Sequence, residues 1–158
     1  MKTAALVALS LALAACASTP KPLQGQFSTL QPDAAVQRNA AGELVRWGGQ
    51  IVNVVPKSDR SCFEIVSTQL GSDSRPLRLN HSEGRFIACR SGFYEPEVFK
   101  TGREITITGR IDGFETRKVG EFDYRYPHVN ADVVYLWPVR DDVRVIVERP
   151  YGYWGYWW

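Results

Sequence analysis

From Leu44 onward the chain alternates apolar and polar residues in short runs, separated by residues that favour turns. A period of two places successive side chains on opposite faces of a strand, so each run predicts a half-buried β-strand. The clearest is Glu104-Ile-Thr-Ile-Thr-Gly-Arg-Ile111, with Ile105, Ile107 and Ile111 pointing inward and Thr106, Thr108 and Arg110 facing water. In Cys62 to Ser67, Phe63 and Ile65 share one face against Cys62, Glu64 and Val66. Val45 to Val55 is broken at Gly48-Gly49 and stops at Pro56. Leu77 to Leu79, Arg85 to Arg90, Ala131 to Trp137 and Val143 to Val147 supply further runs, and no long window carries a helical stripe.

Many short strands with Gly and Pro between them predict an all-β fold. A small antiparallel barrel of five or six strands, resembling the OB-fold, is the expected architecture, with Gly109 at the bend that closure demands. A barrel that itself spans a bilayer needs strands of about 9–11 residues with apolar outward faces. The runs here are shorter, and their outward faces carry Thr, Arg, Glu and Asn.

The amino terminus changes the setting. One charge, Lys2, precedes a run of small and apolar residues that is too short to cross a membrane as a helix. The run ends in Leu13-Ala14-Ala15-Cys16, which resembles the bacterial lipobox. Residues 1–15 are therefore read as a lipoprotein signal peptide and Cys16 as the lipidation site, acylated with diacylglycerol. Several acyl chains give stable anchoring where one would not. Ala17 lacks the aspartate that keeps such proteins at the inner membrane, so the inner leaflet of the outer membrane is the expected address, with the chain facing the periplasm.

Residues 16–42, with Pro20, Pro22 and Pro32 among small polar residues, read as a flexible tether with room for a short helix over Pro32 to Arg38. Residues 43–148 form the β domain, and residues 149–158 an aromatic tail, Arg149-Pro-Tyr-Gly-Tyr-Trp-Gly-Tyr-Trp-Trp158. Such rings settle at a membrane boundary, on a partner protein or on peptidoglycan sugars; equally, they fold back over the barrel. With Cys16 lipidated, Cys62 and Cys89 remain as an even pair in an oxidising compartment, either bridged or as two buried thiols. A bridge would be worth about 3 kcal/mol in the chain-entropy model.

Charge and chemistry narrow the function. Losing Lys2 with the signal peptide leaves 18 of the 19 basic side chains against 17 acidic ones, too even a balance for nucleic-acid binding. His81 and His128 are the only histidines, and neither they nor Cys62 and Cys89 sit at the close pair spacing that structural zinc sites use, so no metal is expected, nor any cofactor. No Gly-x-Ser-x-Gly occurs, and no enzyme is expected. Asp112, Glu115, Glu121 and Asp123, interleaved with Arg110, Arg117 and Lys118, read as a turn-rich, solvated hairpin.

Trp47 beside Gly48-Gly49 reads as a ring-stacking platform or, more simply, as a core anchor beside a bulge. Tyr124, Tyr126 and His128 would share a strand face, either as a ladder for a ligand or as packing on the barrel flank, with Pro127 marking an edge strand.

Several segments also resemble one family. They are Val45-Arg-Trp-Gly-Gly-Gln-Ile51, Gly84-Arg-Phe-Ile-Ala88, Gly92-Phe93, Glu95-Pro96 and Gly102-Arg-Glu-Ile-Thr-Ile-Thr-Gly109. The longest is Val119-Gly-Glu-Phe-Asp-Tyr-Arg-Tyr-Pro-His-Val-Asn-Ala131, followed by Tyr135-Leu-Trp-Pro138. In this order, behind a lipobox, they resemble the Slp family of outer-membrane lipoproteins, whose founding member is described as starvation-inducible. The resemblance implies a lipid-anchored periplasmic β domain associated with envelope stress, and carries no catalytic residue or cofactor. His128 stands where the family pattern has an apolar residue. The expected function is a structural or interaction module meeting an envelope protein or peptidoglycan. A glycan- or amphiphile-binding module built on Trp47, Tyr124, Tyr126 and His128 is the alternative, and an envelope hydrolase a weaker one.

Overall fold

The computed structural model describes residues 18–140; the signal peptide, Cys16, the Val143 to Val147 run and the aromatic tail lie outside these residues. A 3₁₀ turn (Lys21–Leu23) and one helix, α1 (Pro32–Arg38), precede five strands. These are β1 (Leu44–Pro56), β2 (Arg60–Thr68), β3 (Arg85–Ser91), β4 (Glu104–Val119) and β5 (Phe122–Leu136).

The strands close in the order β1-β2-β3-β5-β4, with β4 returning to β1. Four joins are antiparallel; the fifth, between β3 and β5, is parallel and short, pairing Ile87, Ala88 and Cys89 with His128, Val129 and Asn130. This is the expected barrel of the OB kind, with one parallel seam that strand patterning alone does not show.

Alternation fills its interior. Val45, Trp47, Ile51, Phe63, Ile65, Phe86, Ala88, Ile105, Ile107, Ile111 and Val129 form one buried cluster. Ala35 of α1 joins that cluster, so the helix stops one opening of the barrel; Tyr94 and Phe99 pack edge-on and tilted against Phe63. Pro32 begins the helix at a first-turn position, and Asn39 ends it in the left-handed conformation at φ 50°.

The glycine pair expected to break β1 instead lets it continue. β1 meets β4 over Leu44 to Gln50 and β2 from Gly48 onward, so Gly48 to Gln50 run between both partners. A Cβ on Gly49 would sit 1.8 Å from the Val66 carbonyl oxygen, an approach only glycine permits. Gly109 plays the expected part in β4, beside a register shift, where a Cβ would meet the Asn130 carbonyl oxygen at 2.2 Å.

Other expectations change. Leu77 to Leu79 is not a strand: its backbone bonds stay inside the 69–84 loop, with Leu77 N–H donating to Gln69. Residues Asp112 to Asp123 are not turn-rich, because β4 and β5 continue as a long paired arm to a turn at Gly120. Pro127 lies in a strand with neighbours on both sides, but β3 reaches β5 only from His128, so the proline precedes the second set of ladder bonds. Thr106 and Thr108 are buried rather than wet. The 69–84 loop lies over Thr106, whose Oγ1 donates to the Ser74 carbonyl at 2.8 Å.

From residue 18 onward, the stretch expected as tether is laid on the barrel. Leu23 is fully buried, Ser28 N–H donates to the Leu44 carbonyl, and Asp33 N–H donates to the Glu83 carbonyl. The sparse apolar residues Leu23, Phe27 and Leu30 suffice because each meets a prepared partner: Arg46 donates to the Leu23 carbonyl and stacks on the Phe27 ring.

Candidate functional site

The four residues expected to line a ligand groove do not share one. Trp47 is 2% exposed inside the barrel, with its ring edge-on to Phe86 at 5.3 Å and its indole N–H donating to the Leu30 carbonyl at 2.7 Å. Tyr124, Tyr126 and His128 belong to the opposite side of the wall, in a patch with Cys62, Ile87 and Cys89.

In that patch Tyr126 is 1% exposed and donates to Glu64 Oε1 at 2.8 Å; the same oxygen accepts from Arg85. Burial, with Glu64 beside it, pushes the Tyr126 phenol up to about 12. Tyr124 packs against Tyr126 with ring centroids 4.9 Å apart. Its hydroxyl accepts the Arg85 backbone N–H at 3.0 Å and donates to Asp33 at 3.1 Å, tying the start of β3 to α1. Burial raises the Tyr124 phenol as well. These tyrosines hold the β4–β5 arm down on the wall and present no stacking ladder.

Cys62 and Cys89 face each other in register across β2 and β3, with a sulfur–sulfur distance of 1.99 Å. His128 Nε2 lies 3.2 Å from the Cys89 sulfur and Nδ1 lies 2.5 Å from Asp112 Oδ1. Among the described residues, no three His, Cys, Asp or Glu side chains are grouped as a metal site.

The densest polar constellation lies elsewhere, where β1 and β4 meet the 69–84 loop. Glu104 opens β4 with its carboxylate 9% exposed, and three guanidinium groups converge on it. Arg75 Nε reaches Oε2 at 2.6 Å, Arg140 Nε reaches Oε2 at 3.0 Å, and Arg78 Nε reaches Oε1 at 3.3 Å. Burial alone would raise the Glu104 carboxyl, but hydrogen bonds from Arg75 and Arg140 outweigh it and hold the group below its ordinary value.

Two of these arginines, and Arg103 beside them, also fasten backbone. Arg75 donates to the Pro138 carbonyl, Arg140 to that of Pro76 and Arg103 to that of Trp137. Trp137 in turn donates to Thr106 Oγ1 at 2.9 Å and lies beneath Arg75. Beside this knot, Gln50, Val66, Thr68, Leu77, Leu79 and His81 line an open cleft of about 410 Å³. Thr68 Oγ1 is buried there without a hydrogen-bond partner.

The arrangement braces: three guanidinium groups share one carboxylate, and backbone carbonyls accept from Arg75 and Arg140 as well. A match to the outer membrane lipoprotein Slp family runs over residues 13–158, nearly the whole sequence. The chain belongs to that family. The outer membrane protein Slp of Escherichia coli is 30% identical over 165 residues, covering 99% of this chain and 86% of the relative. An uncharacterized protein of Haemophilus influenzae is 34% identical over 134 residues, covering 82% of this chain and 73% of its own. No solved structure matches. The family places the chain in the outer membrane, and neither the family nor these relatives carry an enzymatic name.

The family segments now have positions. Val45 to Ile51 is the part of β1 that carries Trp47 and the close-approach glycines, and Val119 to Ala131 is the descending half of the β4–β5 arm. The arginine knot escaped sequence reading because Arg75, Arg78 and Arg140 are widely separated from Glu104 along the chain. The one available signal was an acidic residue opening the most regular apolar strand.

Proposed function

We propose that this lipoprotein is a contact module: acyl chains on Cys16 hold it to the periplasmic face of the outer membrane, and its outer surface meets another envelope component during stress. The observation that carries this reading is the closed interior. Side chains fill the barrel from Val45 to Val129, α1 stops one opening, and Tyr94 and Phe99, from the loop between β3 and β4, pack on Phe63, so chemistry is left to the outer surface. Large apolar side chains remain exposed there, among them Phe93 and Phe122, the latter on the tip of the β4–β5 arm. The glycan-groove alternative loses its geometric support, since Trp47 and Tyr126 are buried on different sides of the wall.

Photoreactive residues placed at Phe93, Phe122 and Trp154 in intact cells test the reading. Discrete adducts to one protein or to peptidoglycan are expected from at least one position. Uniform labelling with no discrete species at any of the three would sink it. Fractionation tests the anchor separately: a Cys16→Ser precursor should leave the outer-membrane fraction after a salt wash, and its retention there would refute lipid anchoring.

A further inference from the structure

We infer that the Cys62–Cys89 pair is a thiol–disulfide exchange site: a dithiol, free or carried on a protein, opens the bridge by attacking Cys62, and His128 gives a proton to Cys89 as the leaving sulfur. The inference stands apart from the contact reading and from lipid anchoring, since it needs only the folded barrel.

The first observation is a row of groups across the outer wall. The bridge joins β2 to β3 at an in-register pair, and the β1 residue in register with Cys62 is Val55. From the β5 side, His128 Nε2 lies 3.2 Å from the Cys89 sulfur. An incoming sulfur approaches in line with the bond it breaks, from behind the sulfur it attacks. Behind Cys89 that approach is taken by the imidazole. Beside Cys62 stand Val55, 41% exposed, and, two residues away on the same strand face, the exposed Arg60, whose guanidinium is paired with Asp59. Both cysteines are 4% exposed, so entry requires one of these surface side chains to change rotamer, a motion of picoseconds to nanoseconds. The other neighbours are fixed: Ile87 and Tyr126 pack against the bridge, and Tyr126 and Arg85 both donate to Glu64. The geometry therefore leaves Cys62 as the sulfur to be attacked.

The second observation is the orientation of the imidazole. Asp112 Oδ1 lies 2.5 Å from Nδ1, so the Nδ1 proton is committed to the carboxylate and Nε2 is the atom turned to sulfur. A bridge that serves only as a staple needs no such group, whereas an Asp–His pair aimed at one of two sulfurs decides which of them leaves. In the exchange, a thiolate of the dithiol bonds to Cys62 Sγ, the bond between the two sulfurs breaks, and its electron pair leaves on Cys89 Sγ. His128, protonated on both nitrogens, passes its Nε2 proton to that sulfur and keeps Nδ1–H on Asp112. The second thiol of the dithiol loses its proton to solvent and attacks the mixed disulfide, so that Cys62 leaves and is protonated. The dithiol ends as a disulfide, having given up two electrons and two protons, and the two cysteines end as thiols.

The test uses the mature chain purified from membranes in detergent. Dithiothreitol and reduced thioredoxin serve as the small and the protein-borne dithiol, and opening is followed by alkylation of the freed thiols and mass measurement. Opening by at least one of them is expected to be faster than global unfolding, and the faster probe names the source. His128→Gln should slow it by about ten-fold with the thermal midpoint of the bridged chain in place. That is less than the hundred-fold or more (about) typical of a placed acid, because a thiolate leaves readily on its own. A second measurement needs no variant: with reduced glutathione, a single thiol, the trapped mixed disulfide should map to Cys62 and the alkylated thiol to Cys89. Two free thiols in the purified chain, opening only at the rate of unfolding with both dithiols, an unchanged rate in a folded His128→Gln chain, or glutathione found equally or mainly on Cys89 each overturn the proposal.

Discussion

Tyr126 and Glu104 are two buried groups whose neighbours shift them in opposite senses of charge, and each therefore ties stability to pH. The Tyr126 phenol is raised from 10.0 to about 12 because it is buried and donates to Glu64. Its neutral form stabilises the fold fully below pH 10, and that contribution is lost as pH rises through about 12. Tyr126→Phe should cost about 1–2 kcal/mol at neutral pH and flatten the alkaline loss, as urea unfolding at a series of pH values would show. Glu104 is lowered below 4.5, so its contribution is present above that value and disappears as pH falls through the lower folded one. Glu104→Gln should cost about 2 kcal/mol at pH 7 and remove the acid-side dependence; an unchanged acid limb would show that Arg75 and Arg140 do not act through this carboxylate. Residue burial was legible where one face alternates without interruption, as for Phe63, Ile65, Ile105, Ile107 and Ile111. It was illegible for Thr106, because the cover over it comes from a loop more than twenty residues distant in sequence.

At the scale of elements, glycines decide whether β1 and β4 can coil into a closed wall. Gly49→Ala drives a methyl group into the Val66 carbonyl and should cost about 3 kcal/mol or more. Gly113→Ala, at a position with no atom within 4 Å of the new Cβ, should change stability by no more than about 0.5 kcal/mol. Thermal unfolding of the pair checks the argument, and similar losses in both would mean that close approach is not what Gly49 supplies. The mid-strand bend at Gly109 could be read from a glycine inside a strong alternation. The length of β4 and β5 could not, because beyond Asp112 charged residues occupy both faces of an arm that stands partly clear of the core. The parallel β3–β5 seam was equally hidden, since it joins residues some forty positions apart through only three pairs.

At the scale of the whole molecule, the segment ahead of β1 determines how the barrel is held. Prolines and small polar residues made it read as a spacer, and composition could not show that Leu23 and the Leu30 carbonyl complete sites on the wall. Two contributions are lost if residues 18–30 are deleted from the mature chain. Leu23 no longer buries its side chain, and the Trp47 indole N–H is left without its acceptor inside the barrel. Together these predict a loss of about 4 kcal/mol, read by urea unfolding against the full mature chain. Hydrogen exchange gives the complementary check without deletion: the amides of Ser28 and Asp33 should be protected far more than those of a free spacer, because they donate to Leu44 and Glu83. Exchange at both amides as fast as in an unstructured peptide would mean that the segment is not docked on the barrel.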